Sequence, residues 1–516
     1  MQKYKILWAD DEIDLLKAHI IYLEQKDYQI TPVNNGIDAL EQIAENNFDV
    51  VFLDENMPGM SGLEVLSEIK KSNPSLPVVM ITKSEEEYIM EEAIGSKITD
   101  YLIKPLKPQQ IILSLKKIFD NKRLVSEKTN TDYQKEFQQI SMLYNDQLTH
   151  EEWKDIYNRL IRHEIKIEET EEKSMKEVLQ MQKSEANKNF CDFVEDNYQD
   201  WLYDEDAPLM SHKVLDQVIA PALEKEEKPL FWLIIDNLRM DQWEILEPLI
   251  ADYFTITKKD SYYSILPTAT QYARNSLFSG LLPLEMSKKY PEYWVGEDVE
   301  GGKNNHEHDF LNAYFKRKKA DVKTSYNKIL SVEKGNALVS KFNNLENFDL
   351  NAIVYNFVDM LSHARTDMKV IKELASDESA YRSITKSWFE HSSLFELLKK
   401  IAAKGYKVIL TTDHGTMRVN TPYKILGDKS VNTNLRYKQG RSLSLNEKKV
   451  FMIDEPEKYF LPKTNVSTRF AFTREDQFFV YPNNYNQYVR MYEDTFQHGG
   501  ISLEEMIIPL ITLSPK

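Results

Sequence analysis

Over the first 120 residues, short apolar runs alternate with amphipathic stretches. YKILWA, YQITPV, DVVFLD, PVVMIT and DYLIK are rich in β-branched or aromatic residues, and helical patterns such as IDLLKAHIIYLEQ separate them. This alternation predicts a small α/β domain with a parallel sheet. Between 121 and 200 the pattern changes: Gly and Pro are absent, and 12 Lys plus Arg stand against 18 Asp plus Glu. Trp153, Ile156, Tyr157 and Leu160 fall at i, i+3, i+4 and i+7, one face of a helix. A helical middle domain, a bundle of a few helices, is predicted. From about 205 three strongly apolar strands return, PLFWLIID, NAIVYNFVD and YKVILTTD, each closing on an aspartate. Helical patterns such as SITKSWFEHSSLFELLKKIAAKG separate them, with Gly405 as a stop signal. The pattern thus predicts three domains: α/β over 1–120, all-α over 121–204 and α/β over 205–516. Residues 285–350 carry Asn, Gly and Lys clusters and read as an insertion. KRKK at 316–319 reads as a solvated helix face.

Composition narrows the function classes. At 516 residues and 42% hydrophobic content the chain can bury several cores. No run of about 18 apolar residues occurs, so no membrane span is expected. MQKYKILWADDE lacks a signal-like segment, and a lone cysteine, Cys191, suits a reducing compartment. A cytoplasmic location is therefore expected. The formal charge of −17 argues against binding duplex DNA, where cationic side chains must replace counterions.

Three aspartates at the ends of separate strands bear on chemistry, because ligands of open α/β sheets bind at the carboxyl ends of strands. Asp236, Asp359 and Asp413 hold these positions; His414 directly follows Asp413, His363 comes four residues after Asp359, and His498 precedes Gly499 and Gly500, which allow close approach of backbone. Buried carboxylates at strand ends are costly without a cation. Asp236, Thr270, Asp413 and His414 can make one tetrahedral set, and Asp359, His363 and His498 a three-ligand set with an open position. Because NAIVYNFVD reads as strand up to Asp359, a sharp turn is expected there to let His363 face the same ion. LPTATQYARNSLFSG supplies a hydroxyl: Thr270 opens a helix-like segment whose free N–H groups suit a phosphate. Thr268 competes as nucleophile, and spacing to Gly280 favours Thr270. Arg274, one turn later, reads either as a phosphate contact or as a helix-surface arginine. His306 and His308 read as metal ligands or as part of a polar loop.

The first domain carries a second acidic group. Asp10, Asp11 and Asp54 each follow a strand-like run and can converge at one sheet edge. Three crowded carboxylates call for a divalent cation, and Mg²⁺ suits oxygen ligands. Asp54 then becomes a nucleophile toward a phosphoryl group, with Lys104 and Thr82 able to contact it and Tyr101 able to swing inward.

WADDE, LDENMPGMSG, MITK and DYLIKP resemble, in order and spacing, a response-regulator receiver domain over about residues 3–120. The resemblance implies a (βα)5 fold, phosphorylation of Asp54 by a sensor histidine kinase, and Mg²⁺ held by Asp10, Asp11, Asp54 and the backbone carbonyl of Asn56. It implies Thr82, Tyr101 and Lys104 as the switch residues. DMLSH, TTDHG and QHGG, with the P-T-x-T segment from Pro267, resemble the alkaline phosphatase superfamily, and within it the PglZ domain, over about 205–516. This implies two zinc ions held by Asp236, Thr270, Asp413, His414, Asp359, His363 and His498. The lack of a clear monoesterase arginine favours a phosphodiester, a linear or cyclic nucleotide. The order receiver, helical middle, PglZ resembles the PorX-like response regulators, which implies a role in type IX protein secretion and gliding motility. Dimerisation on phosphorylation is expected, since receivers commonly pair through the Thr82–Tyr101 face. A different reading is a zinc-stabilised binding module that captures a sigma factor, motivated by the absence of a recognisable DNA-binding output domain.

Overall fold

The computed structural model describes residues 4–83, 98–144, 147–168, 173–224, 229–296, 299, 301–375, 377–427, 432, 434–441, 443–444 and 449–516. The chain divides into two compact units, Met1–Asp132 and Tyr133–Lys516.

The first unit holds a five-stranded parallel sheet of β1 (Tyr4–Ala9), β2 (Tyr28–Val33), β3 (Val50–Asp54), β4 (Val78–Thr82) and β5 (Asp100–Ile103). Its strand order is β2-β1-β3-β4-β5. β3 and β4 are buried along their whole length, as expected for central strands covered on both faces. One apolar cluster gathers Ile6, Trp8, Phe52, Ile111 and Leu115, and another gathers Leu7, Leu53, Val65 and Met80. The two clusters arise because successive strand residues point to opposite faces.

In the second unit, the helices His150–Glu168 and Lys173–Trp201 bury Trp153, Ile156, Tyr157 and Leu160. These join one continuous core with residues of a six-stranded sheet. The sheet contains β6 (Leu230–Ile235), β7 (Phe254–Tyr263), β8 (Thr324–Ile329), β9 (Leu350–Tyr355), β10 (Val408–Thr411) and a C-terminal strand, Ile507–Pro515. The spatial order is β7, C-terminal strand, β10, β6, β9, β8. β10, β6, β9 and β8 run parallel, and the C-terminal strand is antiparallel to both β10 and β7.

Two expectations are corrected. The region read as an insertion contributes β8 to the central sheet. Its sequence, TSYNKI, is only partly buried at the sheet edge, so it lacks the apolar signature of its neighbours. The strand NAIVYNFVD ends at Tyr355 rather than at Asp359. Asn356 starts a helix, Phe357–Asp367, that carries both Asp359 and His363.

Buried charge ties the helical stretch to the sheet region. Arg382 donates to Asp241 at 2.7 Å, pairs with Glu168 and lies 3.6 Å from Glu164. Lys183 donates to Glu164 at 2.8 Å and lies 3.7 Å from Glu504. Arg239 donates twice to Asp241 and pairs with Glu378. Such a network stabilises only while every member keeps its partner.

Candidate metal centre

In the second unit, the ends of β6 and β10 place the first group of side chains. Asp236 directly follows β6, and its N–H donates to Tyr355 O at 2.8 Å. Asp413 and His414 follow β10, where the Thr412 hydroxyl braces the turn by accepting from Leu238 N (3.0 Å) and donating to His414 O (2.9 Å). Gly415 is required here, because a Cβ would sit 1.9 Å from Glu504 O. Thr270 opens the helix Thr270–Ser279, and its hydroxyl lies 3.1 Å from His414 Nε2. His414 Nε2 is also 3.6 Å from Asp413 and 3.9 Å from Asp236.

Asp359 and His363 stand one turn apart on their helix, 3.6 Å between Oδ1 and Nε2, and His498 Nε2 approaches the same Asp359 oxygen at 3.8 Å. The structure thus brings all seven expected side chains into two adjoining groups. Asp236, Asp413 and His414 can offer ligand atoms within 4.8 Å of one another, as can Asp359, His363 and His498. The groups meet where the His414 and His498 rings stack, centroids 4.2 Å apart.

The tautomers follow from the backbone. His414 Nδ1 faces Gly415 O at 3.0 Å and His498 Nδ1 faces Thr268 O at 3.2 Å. A carbonyl only accepts, so each Nδ1 carries a proton and each Nε2 faces the centre, the usual arrangement of a metal-binding histidine. Burial, followed by the neighbouring His414 and His363, pulls His498 well below its ordinary value, so it is neutral.

Arg274 is no surface residue. It is fully buried, its Nε donating to Asp413 at 3.1 Å and its guanidinium pairing with Asp236. Burial raises Asp236 well above the usual carboxylate range despite Arg274. For Asp413 burial is outweighed by Arg274 and His414, which hold it at about 2. Asp236 Oδ1 is buried without a hydrogen bond. Oxygen and imidazole donors of this kind, with a hydroxyl beside them, fit a zinc-type divalent ion.

Other candidates fall outside this centre. The Thr268 hydroxyl donates to Gly500 O at 2.9 Å and accepts from Gly499 N at 3.0 Å. His306 pairs with Asp309 at 2.8 Å, and His308 bonds to the Thr324 hydroxyl at 3.1 Å. Neither histidine belongs to a metal-competent group among the described residues. Sequence reasoning missed Asn356, which donates to Asp236 at 2.5 Å, and Asn237, which donates to Asp359 at 3.4 Å. Asn237 has a left-handed φ of 65°, a conformation asparagine tolerates. That tolerance was the one available sequence signal.

In the first unit, Lys104 Nζ lies 2.9 Å from Asp10 and 2.8 Å from Asp54, both buried. Burial raises Asp54 above the usual range, opposed by the Lys104 hydrogen bond. Burial alone would lower Lys104, but its bonds to Asp54 and Asp10 raise it. Asp10, Asp11 and Glu12 form the metal-competent group. Glu12, absent from the sequence-derived set, also pairs with Lys83 at 3.0 Å. Thr82 is buried at the end of β4, Tyr101 is exposed on β5, and Asn56 is exposed after β3.

The profile of the BREX system PglZ alkaline phosphatase-like domain matches residues 214–513, more than half of the chain. The chain belongs to the PglZ family. The PorX response regulator linker domain matches residues 123–202, and the response regulator receiver domain matches 6–116. This layout is that of a PorX-like response regulator with a PglZ alkaline phosphatase-like domain at its C-terminal end. Proteins with such receiver and phosphatase-like domains generally use metal ions.

Curated relatives match over the receiver. The transcriptional regulatory protein ResD of Bacillus subtilis is 34% identical over 112 residues, 22% of this chain and 46% of its own length. ZraR of Klebsiella oxytoca is 37% identical over 123 residues, 24% of this chain and 28% of its own. The chain therefore spans less than half of either relative. A DNA-binding response regulator of the LuxR family from Staphylococcus aureus has a solved structure that is 31% identical. That match covers 22% of this chain and 98% of that one, with a TM-score of 0.22. No described helix is long and apolar enough to cross a membrane.

Proposed function

We propose that the chain is a two-component response regulator whose PglZ region is a zinc-dependent phosphodiesterase acting on linear or cyclic nucleotides. The observation that carries this reading is the meeting of two three-ligand groups beside the Thr270 hydroxyl. Asp236, Thr270, Asp413 and His414 would hold one zinc ion and Asp359, His363 and His498 the other. Bound divalent ions supply a lowered hydroxyl pKa and positive charge toward phosphoryl oxygens. Thr270 Oγ attacks phosphorus and one ester alkoxide leaves as its alcohol. The helix N-terminus that Thr270 opens offers N–H donors to the phosphate, and water then cleaves the nucleotidyl-threonine bond to free the hydroxyl and a phosphomonoester. Engagement of Arg274 by Asp236 and Asp413 supports a diester over a monoester, since that guanidinium is already paired.

Control enters at Asp54, phosphorylated by a sensor histidine kinase. Mg²⁺ would be held there by Asp10, Asp11, Asp54 and Asn56, with Glu12 nearby. Thr82, Tyr101 and Lys104 read the phosphate, and dimerisation follows. The PorX linker match supports a role in type IX protein secretion and gliding motility, exercised in the cytoplasm. The test is Thr270→Val: turnover of a nitrophenyl phosphodiester is lost while metal content stays near two ions per chain. Undiminished turnover rejects the assignment.

A second reading, capture of a sigma factor, draws on the apolar residues Met368, Val370 and Leu374, which are exposed beyond the helix carrying His363. Intact signalling by Thr270→Val with turnover abolished would favour it.

A further inference from the structure

One buried cluster touches both ligand groups without belonging to either. Thr268, Arg436 and Glu505 are each fully buried. The Glu505 backbone carbonyl accepts from Gly415 N at 3.1 Å, in the loop that carries Asp413 and His414. Its side chain accepts from Gly500 N at 2.9 Å, two residues after His498. Arg436 Nε donates to the same carboxylate at 3.2 Å and Ser502 Oγ donates at 2.8 Å. Thr268 completes the circuit. Its hydroxyl donates to Gly500 O, accepts from Gly499 N and lies 3.4 Å from Glu505 Oε1. Its carbonyl takes the His498 Nδ1 proton, and its chain leads two residues on to Thr270.

Nothing larger than glycine fits at the crossing. A Cβ on Gly500 would lie 2.7 Å from Thr473 O and 3.0 Å from Arg436 Cζ. A fully buried carboxylate is costly unless paired and bonded on every side, and here each oxygen is.

We propose that Thr268 and Glu505 form a clasp that fixes the Thr270 loop, the His414 loop and the His498 loop against one another. They act as positioning residues for the centre, an inference that rests on the two-metal reading above. The clasp sets the orientation of His498 through its Nδ1 partner and the separation of the two groups through residue 505, which bonds to both loops.

The test uses the full chain. Thr268→Val keeps the shape and removes the hydroxyl, and Thr268→Ser restores it. Two readouts are independent of turnover: hydrogen exchange across residues 496–503 in metal-free protein, and titration with cobalt(II) alone. The expected result for Thr268→Val is faster exchange and weaker binding of one cobalt ion. The loss should be about 10–100-fold, as for other groups that orient a metal-bound histidine. Thr268→Ser should restore both. If Thr268→Val does not fold, Glu505→Gln is read instead, with weaker binding of one ion again expected. Unchanged cobalt affinity in the folded variant, with or without faster exchange, overturns the clasp. A wild-type chain that takes up no cobalt overturns the two-metal reading itself and the clasp with it, before any variant is compared.

Discussion

Arg382→Met tests whether the helical stretch is held to the sheet region by buried charge. Arg382 is 3% exposed and is shared by Asp241, Glu168 and Glu164. After substitution Asp241 keeps Arg239, at 2.9 and 2.6 Å, and Glu164 keeps Lys183. Glu168 loses its cation, although burial already raises it above the usual range. Breaking a fully buried pair costs about 3–5 kcal/mol, and the Glu168 side chain is 22% exposed. The lower end applies here, because two of the three acids retain a partner. With a urea dependence of about 3 kcal/mol per M for a unit of this size, a loss of about 3 kcal/mol moves the midpoint down by about 1 M. Tryptophan fluorescence reads the transition, since every tryptophan except Trp8 lies in residues 133–516. Glu168→Gln combined with Arg382→Met should recover about 1–3 kcal/mol relative to the sum of the single changes. A loss below about 1 kcal/mol with additive single effects would refute the reasoning, for it would mean that these charges are already served by water.

Three further outcomes are expected. His212, pulled by burial to about 3, binds its proton more weakly folded than unfolded. Its stability contribution is therefore complete above the unfolded value of 6.5 and is lost as pH falls toward 3. From pH 8 to pH 5 this removes about 2 kcal/mol, and urea midpoints of wild type and His212→Gln across that range check it. Gly415→Ala forces the DHG loop away from Glu504 O. The expected cost is about 1–3 kcal/mol, with a loss of diester turnover, measured on purified protein. Asp54→Asn should abolish phosphoryl uptake from a small-molecule donor, read by intact-mass spectrometry, without changing the metal content of the PglZ region.

The sequence exposed the strand-end acids because long apolar runs followed by a carboxylate have few other readings. Asp236 and Asp413 sit where that pattern put them. Asp359 did not, since FVD continues an apolar run and periodicity over so few residues cannot separate strand from helix. Phe357 and Val358 are instead a helical face that packs inward. Arg274 was ambiguous because what buries it, Asp236 and Asp413, comes from distant segments. Glu505 gave no signal at all. SLEEM is polar and acidic, and what buries Glu505 includes Arg436, 69 positions earlier, and Thr268, 237 positions earlier, beside the local Gly500 and Ser502. Local pattern shows which residues can form an element, whereas long-range charge pairing decides which of its polar members go inside.

The two ligand groups differ in their access to solvent. Side chains of the Asp236, Asp413 and His414 group are at most 1% exposed, whereas His363 is 63% exposed. An ion bound at His363 can trade with the surrounding pool by the swing of one imidazole. An ion held by Asp236, Asp413 and His414 is walled by buried side chains, with the part-buried Thr270 on its open side. The outer ion would therefore follow the free-metal supply more closely than the inner one. On the two-metal reading proposed above, turnover would then fall when the outer ion is withdrawn by metal starvation.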